Sequence, residues 1–325
     1  MSFRVLKERQ ADTVTVSSIY FDSLQKLMAE NRSVMHVEAD LGLSILGPSM
    51  YALKKQFPGQ VLDCGIQEGN MVSVAAGMSV CGKIPFAHSF APFISRRACD
   101  QAFISCAYNK ANVKLIGSDP GVMAAFNGGT HMPFEDIAIM RAMPEMTVIE
   151  FADAAMAAWL FPAVVEHPGN VYIRFMRKNT EAVYEMGSSF TIGKANLLQE
   201  GTDVTLIGSG IMVAQCLKAA ALLAEDGISA RVVDMFTIKP IDRDIIIESA
   251  QKTGAIVTAE NHNIIGGLGS AVSDVLCETK FVPIEKVGVQ DQFGQVGSVG
   301  ELLSVYGLTP DAIAEKAKKA ITRKG

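Results

Sequence analysis

Residues Asp63 to Val80 read DCGIQEGNMVSVAAGMSV, and the fold of the chain's first half turns on this stretch. A short extended run, VLDCG, breaks at Gly65, and an apolar, small-residue run follows from Met71 to Met78. That order predicts a strand, a turn and then a helix made for close packing. Glu68 stands at the mouth of the helix, and two readings of it are open. A first-turn acid complements the helix dipole, worth a few tenths to about 1 kcal/mol. Alternatively, a partly buried glutamate carries a chemical task.

Working outward, the same alternation repeats. Val16–Asn31 has helical periodicity, while SVMHVEADLG, NVKLIGSDPG, MTVIEFAD and NVYIRFMR are strand-like runs ending in polar or turn residues. Asp153 is placed to cap the helix AAMAAWLFPAVVEH. Strands alternating with helices over short connections predict an α/β domain with a mostly parallel sheet across residues 13–180. Residues 181–192 are expected to be a linker, and 193–325 a second doubly wound α/β domain with helix C-caps at Gly227 and Gly254.

Bulk properties narrow the function. Of 325 residues, 49% are hydrophobic and 19% charged, and the net charge is −5 with no basic run. This argues against nucleic-acid or anionic-membrane partners, which need a basic stripe. None of the six cysteines forms a C-x-x-C pair, so reduced core cysteines are expected, with no disulfide framework and no metal site. MSFRVLKERQ lacks an apolar signal core, and Ala154–Val165 is too short to span a bilayer and contains Pro162. The expected location is cytoplasmic.

The second half offers GSGIMV after a strand, with Asp234 ending the next strand, which is part of a dinucleotide fingerprint. The third glycine is replaced by Val213, and strand-to-helix turns favour glycine in any case. GGLGSA at 266–271 has the same structural explanation, and neither turn carries a P-loop Lys-Ser/Thr.

The first half holds stronger candidates. FAHSFAPFISRRACDQ places Phe90 and Phe93 three apart, followed by Arg96 and Arg97. Ser118 to Asp136 is long, glycine-rich and irregular, yet carries Asp119, Asn127 and His131. Long loops at the carboxyl ends of parallel strands commonly carry function. Arg174 and Arg177 end another strand and could grip an anionic group.

Together, IQEGNMVSVAAGMSVCGKIPFAHSFAPF, RRACDQ and NGGTHMPFEDIAIMRAMPEMTVIEFADA closely resemble the pyrimidine-binding domain of transketolases. LIGSG, VVDMFTIKPID and AENHNIIGGLGSAV resemble the transketolase C-terminal domain. The likeness runs from about residue 13 to 315. 1-Deoxyxylulose-5-phosphate synthase and the pyruvate dehydrogenase β subunit are similar, less closely.

The resemblance implies thiamine diphosphate as cofactor. It implies that Glu68 hydrogen-bonds the aminopyrimidine and favours its imino tautomer, which then takes the thiazolium C2 proton. It puts Phe90 and Phe93 on the motif whose aromatics line the pyrimidine, and Asp40 on an aspartate near the cofactor. Ser44 falls on a serine touching the substrate phosphate, His131 on the histidine near the donor ketose's C1 hydroxyl, and Arg177 on a phosphate-contacting arginine with Arg174 as a helper. The sequence departs from the family at Asn127, where an aspartate reads a substrate hydroxyl, and at Ser118, where a histidine is usual.

No G-D-G motif, the family's diphosphate and magnesium holder, occurs in the sequence. The resemblance therefore implies a split enzyme. An N-terminal partner subunit would hold the diphosphate and Mg2+ or Ca2+, and this chain would dimerise through both domains within a heterotetramer acting on small sugars. Three alternatives stand: a 2-oxo-acid dehydrogenase β subunit, a 1-deoxyxylulose-5-phosphate-synthase-like enzyme, and an NAD-binding oxidoreductase.

Overall fold

A computed structural model describes residues 2–6, 11–42 and 47–324. The first half contributes β1 (Val34–Glu38), β2 (Val61–Asp63), β3 (Ile84–Phe90), β4 (Lys114–Ser118), β5 (Thr147–Glu150) and β6 (Val171–Phe175). The second contributes β7 (Asn196–Gln199), β8 (Val204–Gly208), β9 (Ala230–Asp234), β10 (Thr237–Lys239), β11 (Ile256–Asn263) and β12 (Ile284–Val289).

They form a seven-stranded sheet, β10-β5-β6-β4-β3-β1-β2, and a five-stranded sheet, β12-β11-β8-β9-β7. The first is parallel except for β10, and the second is parallel except for β7. β1, β4, β5 and β6 are buried at every position because helices cover both faces of the sheet.

The helix Val16–Glu30 turns Val16, Tyr20, Leu24 and Met28 inward at four-residue spacing. It packs on the helix Ala154–Glu166, whose N-cap is Asp153 as expected, with Oδ1 accepting from Met156 N at 2.9 Å. The other Asp153 oxygen takes the N–H groups of Val183 and Tyr184 at 2.8 and 2.7 Å. Residues 181–192, expected to link the halves, are thus tied down. They also pair with the N-terminal segment through Ser2–Ser189, Val5–Tyr184 and Ala11–Glu181.

The two-sheet α/β plan agrees with the expectation from sequence. The simple division into halves does not describe the sheets, because β10 crosses over. It pairs antiparallel with β5, Thr237 against Ile149 and Lys239 against Val148. Among the described residues no helix is long and apolar enough to cross a membrane.

Candidate active site

The C-terminal ends of β6, β4, β3, β1 and β2 lie side by side, and the chain leaves each of them carrying a candidate residue. Arg177 follows β6, Asp119 follows β4, Phe90 closes β3, Asp40 follows β1, and Glu68 opens the helix Glu68–Val80 after β2. Ligands gather at such an edge in parallel sheets. The backbone here is unusual. Asp40, Asp119 and Ala125 have φ of 58°, 52° and 48°, a left-handed region that non-glycine residues seldom occupy and that clusters at functional sites.

Glu68 is 1% exposed, so it is not a solvated first-turn acid. Its Oε1 accepts from Ser89 Oγ at 3.1 Å, and its Oε2 pairs with Arg97 Nη1 at 2.6 Å. Ser89 reaches it because the β3 pleat sends Ser89 to the face opposite His88 and Phe90. Arg97 lies at the end of a π-helical turn, Phe93–Arg97, and its guanidinium carbon sits 4.1 Å above the Phe93 ring. π-Turns are uncommon and concentrate at functional sites.

His131 joins this group edge-on, its ring 5.4 Å from Phe90 and 5.0 Å from Phe93. Thr130 Oγ1 lies 2.9 Å from its Nδ1. Partial burial, then the charges of Arg97 and Arg96, hold the imidazole below its usual pKa. A neutral His131 can therefore exchange hydrogen bonds with a substrate hydroxyl near pH 7. Arg96 is turned away, paired with Glu135 at 2.9 Å and donating to Thr130 O at 3.1 Å. Asn127, on the same loop, is exposed. A cleft of about 460 Å3 is lined by Arg96, Gly129 and Glu135 and, from the second half, Asn263, Asp291 and Phe293. A larger cavity of about 550 Å3 lies elsewhere between the halves, around Met123, Ile211 and Lys218, and holds none of these candidates.

Arg177 donates from Nε to Asp119 Oδ2 at 2.7 Å, with its guanidinium carbon 5.5 Å from the Phe90 ring centre. Asp40 is exposed, its N–H donating to Asp63 Oδ1 at 2.9 Å. Ser44 lies outside the described residues.

The expectation for Arg174 is corrected. It is 0% exposed, and its guanidinium is spent on buried partners. Asp136 takes Nε at 2.8 Å and Nη2 at 2.9 Å, Glu150 takes Nη1 at 2.6 Å, and Asn261 O accepts two bonds at 3.1 Å. Burial pushes the Asp136 carboxyl up, but Arg174's charge and hydrogen bonds, with His262 and Tyr172, hold it below the usual range. This cluster joins the halves instead of reaching a substrate, because Ser209 Oγ also donates to Glu150 Oε2 at 2.6 Å.

That contact accounts for the GSGIMV turn. Gly210 has φ of 53°, and a Cβ there would lie 2.6 Å from the Glu150 carboxyl carbon, so glycine serves packing between the halves. Asp234 is buried and accepts from Tyr184 OH at 2.6 Å and Asn196 Nδ2 at 3.2 Å, not from a ribose. In GGLGSA, Glu260 occupies the helix start, accepting from Leu268 N at 2.7 Å and Gly269 N at 2.9 Å.

Sequence reasoning missed Ser89, and it singled out Asp119 and Arg97 without finding their partners, Arg177 and Glu68. The signal for Arg97 was its position four residues after Phe93, the spacing that stacks side chains on one helical face.

Comparison with known proteins identifies the family of both halves. Residues 12–182 match the family model described as the transketolase pyrimidine binding domain, and residues 193–313 match the transketolase C-terminal domain. The chain is 46% identical over 305 residues to a 6-deoxy-6-sulfo-D-fructose transketolase subunit of Clostridium sp. (strain MSTE9), covering 94% of each. It is 32% identical over 316 residues to transketolase of Homo sapiens, covering 96% of this chain and 50% of that one. A solved structure described as a split-gene transketolase, an inactive β4 tetramer, superposes with a TM-score of 0.86 at 40% identity, covering 97% of this chain and all of the other.

Proposed function

The chain belongs to the transketolase family, and on that premise we propose that it is the C-terminal subunit of a two-component transketolase. It takes part in moving a two-carbon ketol unit from a ketose to an aldose. The observation that carries this reading is Glu68, a buried carboxylate paired with Arg97, whose guanidinium lies over the Phe93 ring beside Phe90 and His131. Relatives described as a subunit and as split-gene, matched over nearly their whole length, support the two-component form over a 2-oxo-acid dehydrogenase β subunit or an oxidoreductase.

The site fits the pyrimidine half of thiamine diphosphate: a water-excluded hydrogen-bonding carboxylate and two aromatic rings stand together. When bound, the cofactor supplies the nucleophilic carbon for the transferred unit. In this reading Glu68 holds and shares the proton at the pyrimidine nitrogen, while Phe90 and Phe93 exclude water and fix the ring. Asp40 lies beside the cofactor, and neutral His131 binds a hydroxyl of the donor ketose. Asn127 reads a substrate group on the same loop.

Arg177 meets a terminal anion on the sugar. A sulfonate is supported by the substrate in the Clostridium relative's name, and a phosphate offers the same three-oxygen target. The diphosphate and its Mg2+ or Ca2+ belong, in this reading, to an N-terminal partner subunit. This chain pairs with a second copy through both halves in a heterotetramer, and the self-association of the split-gene neighbour supports that part.

The test is reconstitution. The purified chain with thiamine diphosphate and magnesium is expected to show no ketol transfer until a partner bearing the diphosphate motif is added. Robust turnover by this chain alone would overturn the two-component reading.

A further inference from the structure

We propose that Arg97 is an internal competitor for the pyrimidine pocket, one planar cation covering both surfaces that the ring needs; this rests on the two-component transketolase reading. The two surfaces are the Glu68 carboxylate and the face of Phe93. Arg97 Nη1 is 2.6 Å from Glu68 Oε2, and the same guanidinium lies 4.1 Å above Phe93.

An aminopyrimidine is also a flat ring that stacks on an aromatic face while a carboxylate meets its edge. The guanidinium copies that pairing, because it is planar, stacks on aromatic rings and presents a fork of N–H donors. Both cannot lie on that face of Phe93 together. An ion pair with arginine satisfies Oε2 with donors that never give up a proton, whereas the pyrimidine nitrogen needs that oxygen for a shared one.

The surroundings are built for exchange. Glu68 is 1% exposed and anchored from behind by Ser89 Oγ at 3.1 Å, so the acceptor stays in place. Arg97 is 46% exposed and reaches in from the solvent side, so its side chain can rotate out without moving the helix. The neighbouring Arg96 is already held outside by Glu135. A buried carboxylate left with no partner is costly, and Arg97 supplies one until a ring arrives. The consequence is a subunit that discriminates against loose pyrimidines and accepts the ring only when further contacts help to displace the arginine.

The test is calorimetric titration of the full chain with thiamine and with 4-amino-5-hydroxymethyl-2-methylpyrimidine. Wild type, Arg97→Met, Arg97→Lys and Glu68→Gln are compared, with circular dichroism melting to establish folding. Arg97→Met is expected to bind the free pyrimidine about 10-fold more tightly or better than wild type, a change of about 1.4 kcal/mol. Arg97→Lys, which keeps the charge but loses the flat fork, should fall between them. Adding Glu68→Gln to Arg97→Met should abolish the gain. If Arg97→Met binds no more tightly than wild type while Glu68→Gln weakens both, the pocket stands and the competitor is refuted. If no variant binds either compound and Glu68→Gln changes nothing, the pyrimidine reading fails and Arg97's role fails with it. Should Arg97→Met not fold, Arg97→Lys decides, and affinity equal to wild type rejects the proposal.

Discussion

Arg177 and Asp119 face one another across the ends of β6 and β4, the arginine Nε donating to Asp119 Oδ2 at 2.7 Å. The carboxylate is 2% exposed and the arginine side chain 18%, so a sequestered acid holds a partly open cation in place. Fixing the fork beforehand lowers the ordering cost of gripping an anion. Arg177→Met in the reconstituted enzyme should raise KM for a phosphorylated or sulfonated ketose by about 10-fold or more. For an uncharged ketose KM should barely move. Arg177→Lys should recover little, because an ammonium cannot hold Asp119 and a three-oxygen anion with the same geometry. Equal effects on charged and uncharged sugars would remove Arg177 from substrate recognition.

Arg174 should behave differently despite its likeness in sequence. Replacing it with Met leaves Asp136 and Glu150 buried without their counter-charge, an uncompensated burial that typically costs about 3–5 kcal/mol. Denaturant unfolding should report that loss, and calorimetry should show the halves melting less cooperatively. A stable variant with a raised KM would mean that Arg174 reaches the substrate after all.

Glu68→Gln keeps the shape and one acceptor oxygen but has no acidic proton to share. In the reconstituted enzyme, thiazolium C2 hydrogen–deuterium exchange and ketol transfer should slow by at least about 10²-fold. Folding should survive, since the orphaned Arg97 is half in solvent. Exchange as fast as wild type would reduce Glu68 to a structural acid.

Glu38 predicts a pH response. Burial, followed by the charge of Asp63, pushes its carboxyl from 4.5 up to about 7, with Asp40 adding to this and Lys54 and the Gly42 N–H opposing. The folded chain therefore holds this proton more tightly than the unfolded one. The stabilisation is fully present below the unfolded value and is lost as pH rises through about 7. Between about pH 5 and about pH 8 the melting temperature of wild type should fall relative to that of Glu38→Gln. A constant gap across that range would contradict the assignment.

Much of the sheet was legible because parallel strands buried on both faces carry short apolar centres, as LIG does in β4 and VI in β5. The Asp153 cap was visible for a local reason, its side chain bonding three residues ahead. Arg174 was misread because its fate is not local. It and Arg177 share one strand end, but Arg174 sits in register with Glu150 and beneath Asn261 of the other half, whereas Arg177 lies past the last paired residue. Pairings such as Glu68 with Arg97, or Arg177 with Asp119, depend on how distant segments meet, and no spacing encodes them. β10 was missed because three residues carry almost no periodic signal.

That small strand sets the terms on which the chain can be dismantled or shuffled. β5 is buried along its whole length, and Thr237–Lys239 is its outer neighbour. A gene break or graft that keeps only the first 190 or so residues would hand the recipient a sheet with an open, sticky flank, the kind of edge that recruits foreign strands. Inheritance of the pyrimidine half as a separate module would then require carrying along a fragment encoded far downstream, or evolving a new selvedge for β5. The two halves are distinct in outline but hemmed together, and they should travel through recombination as one piece.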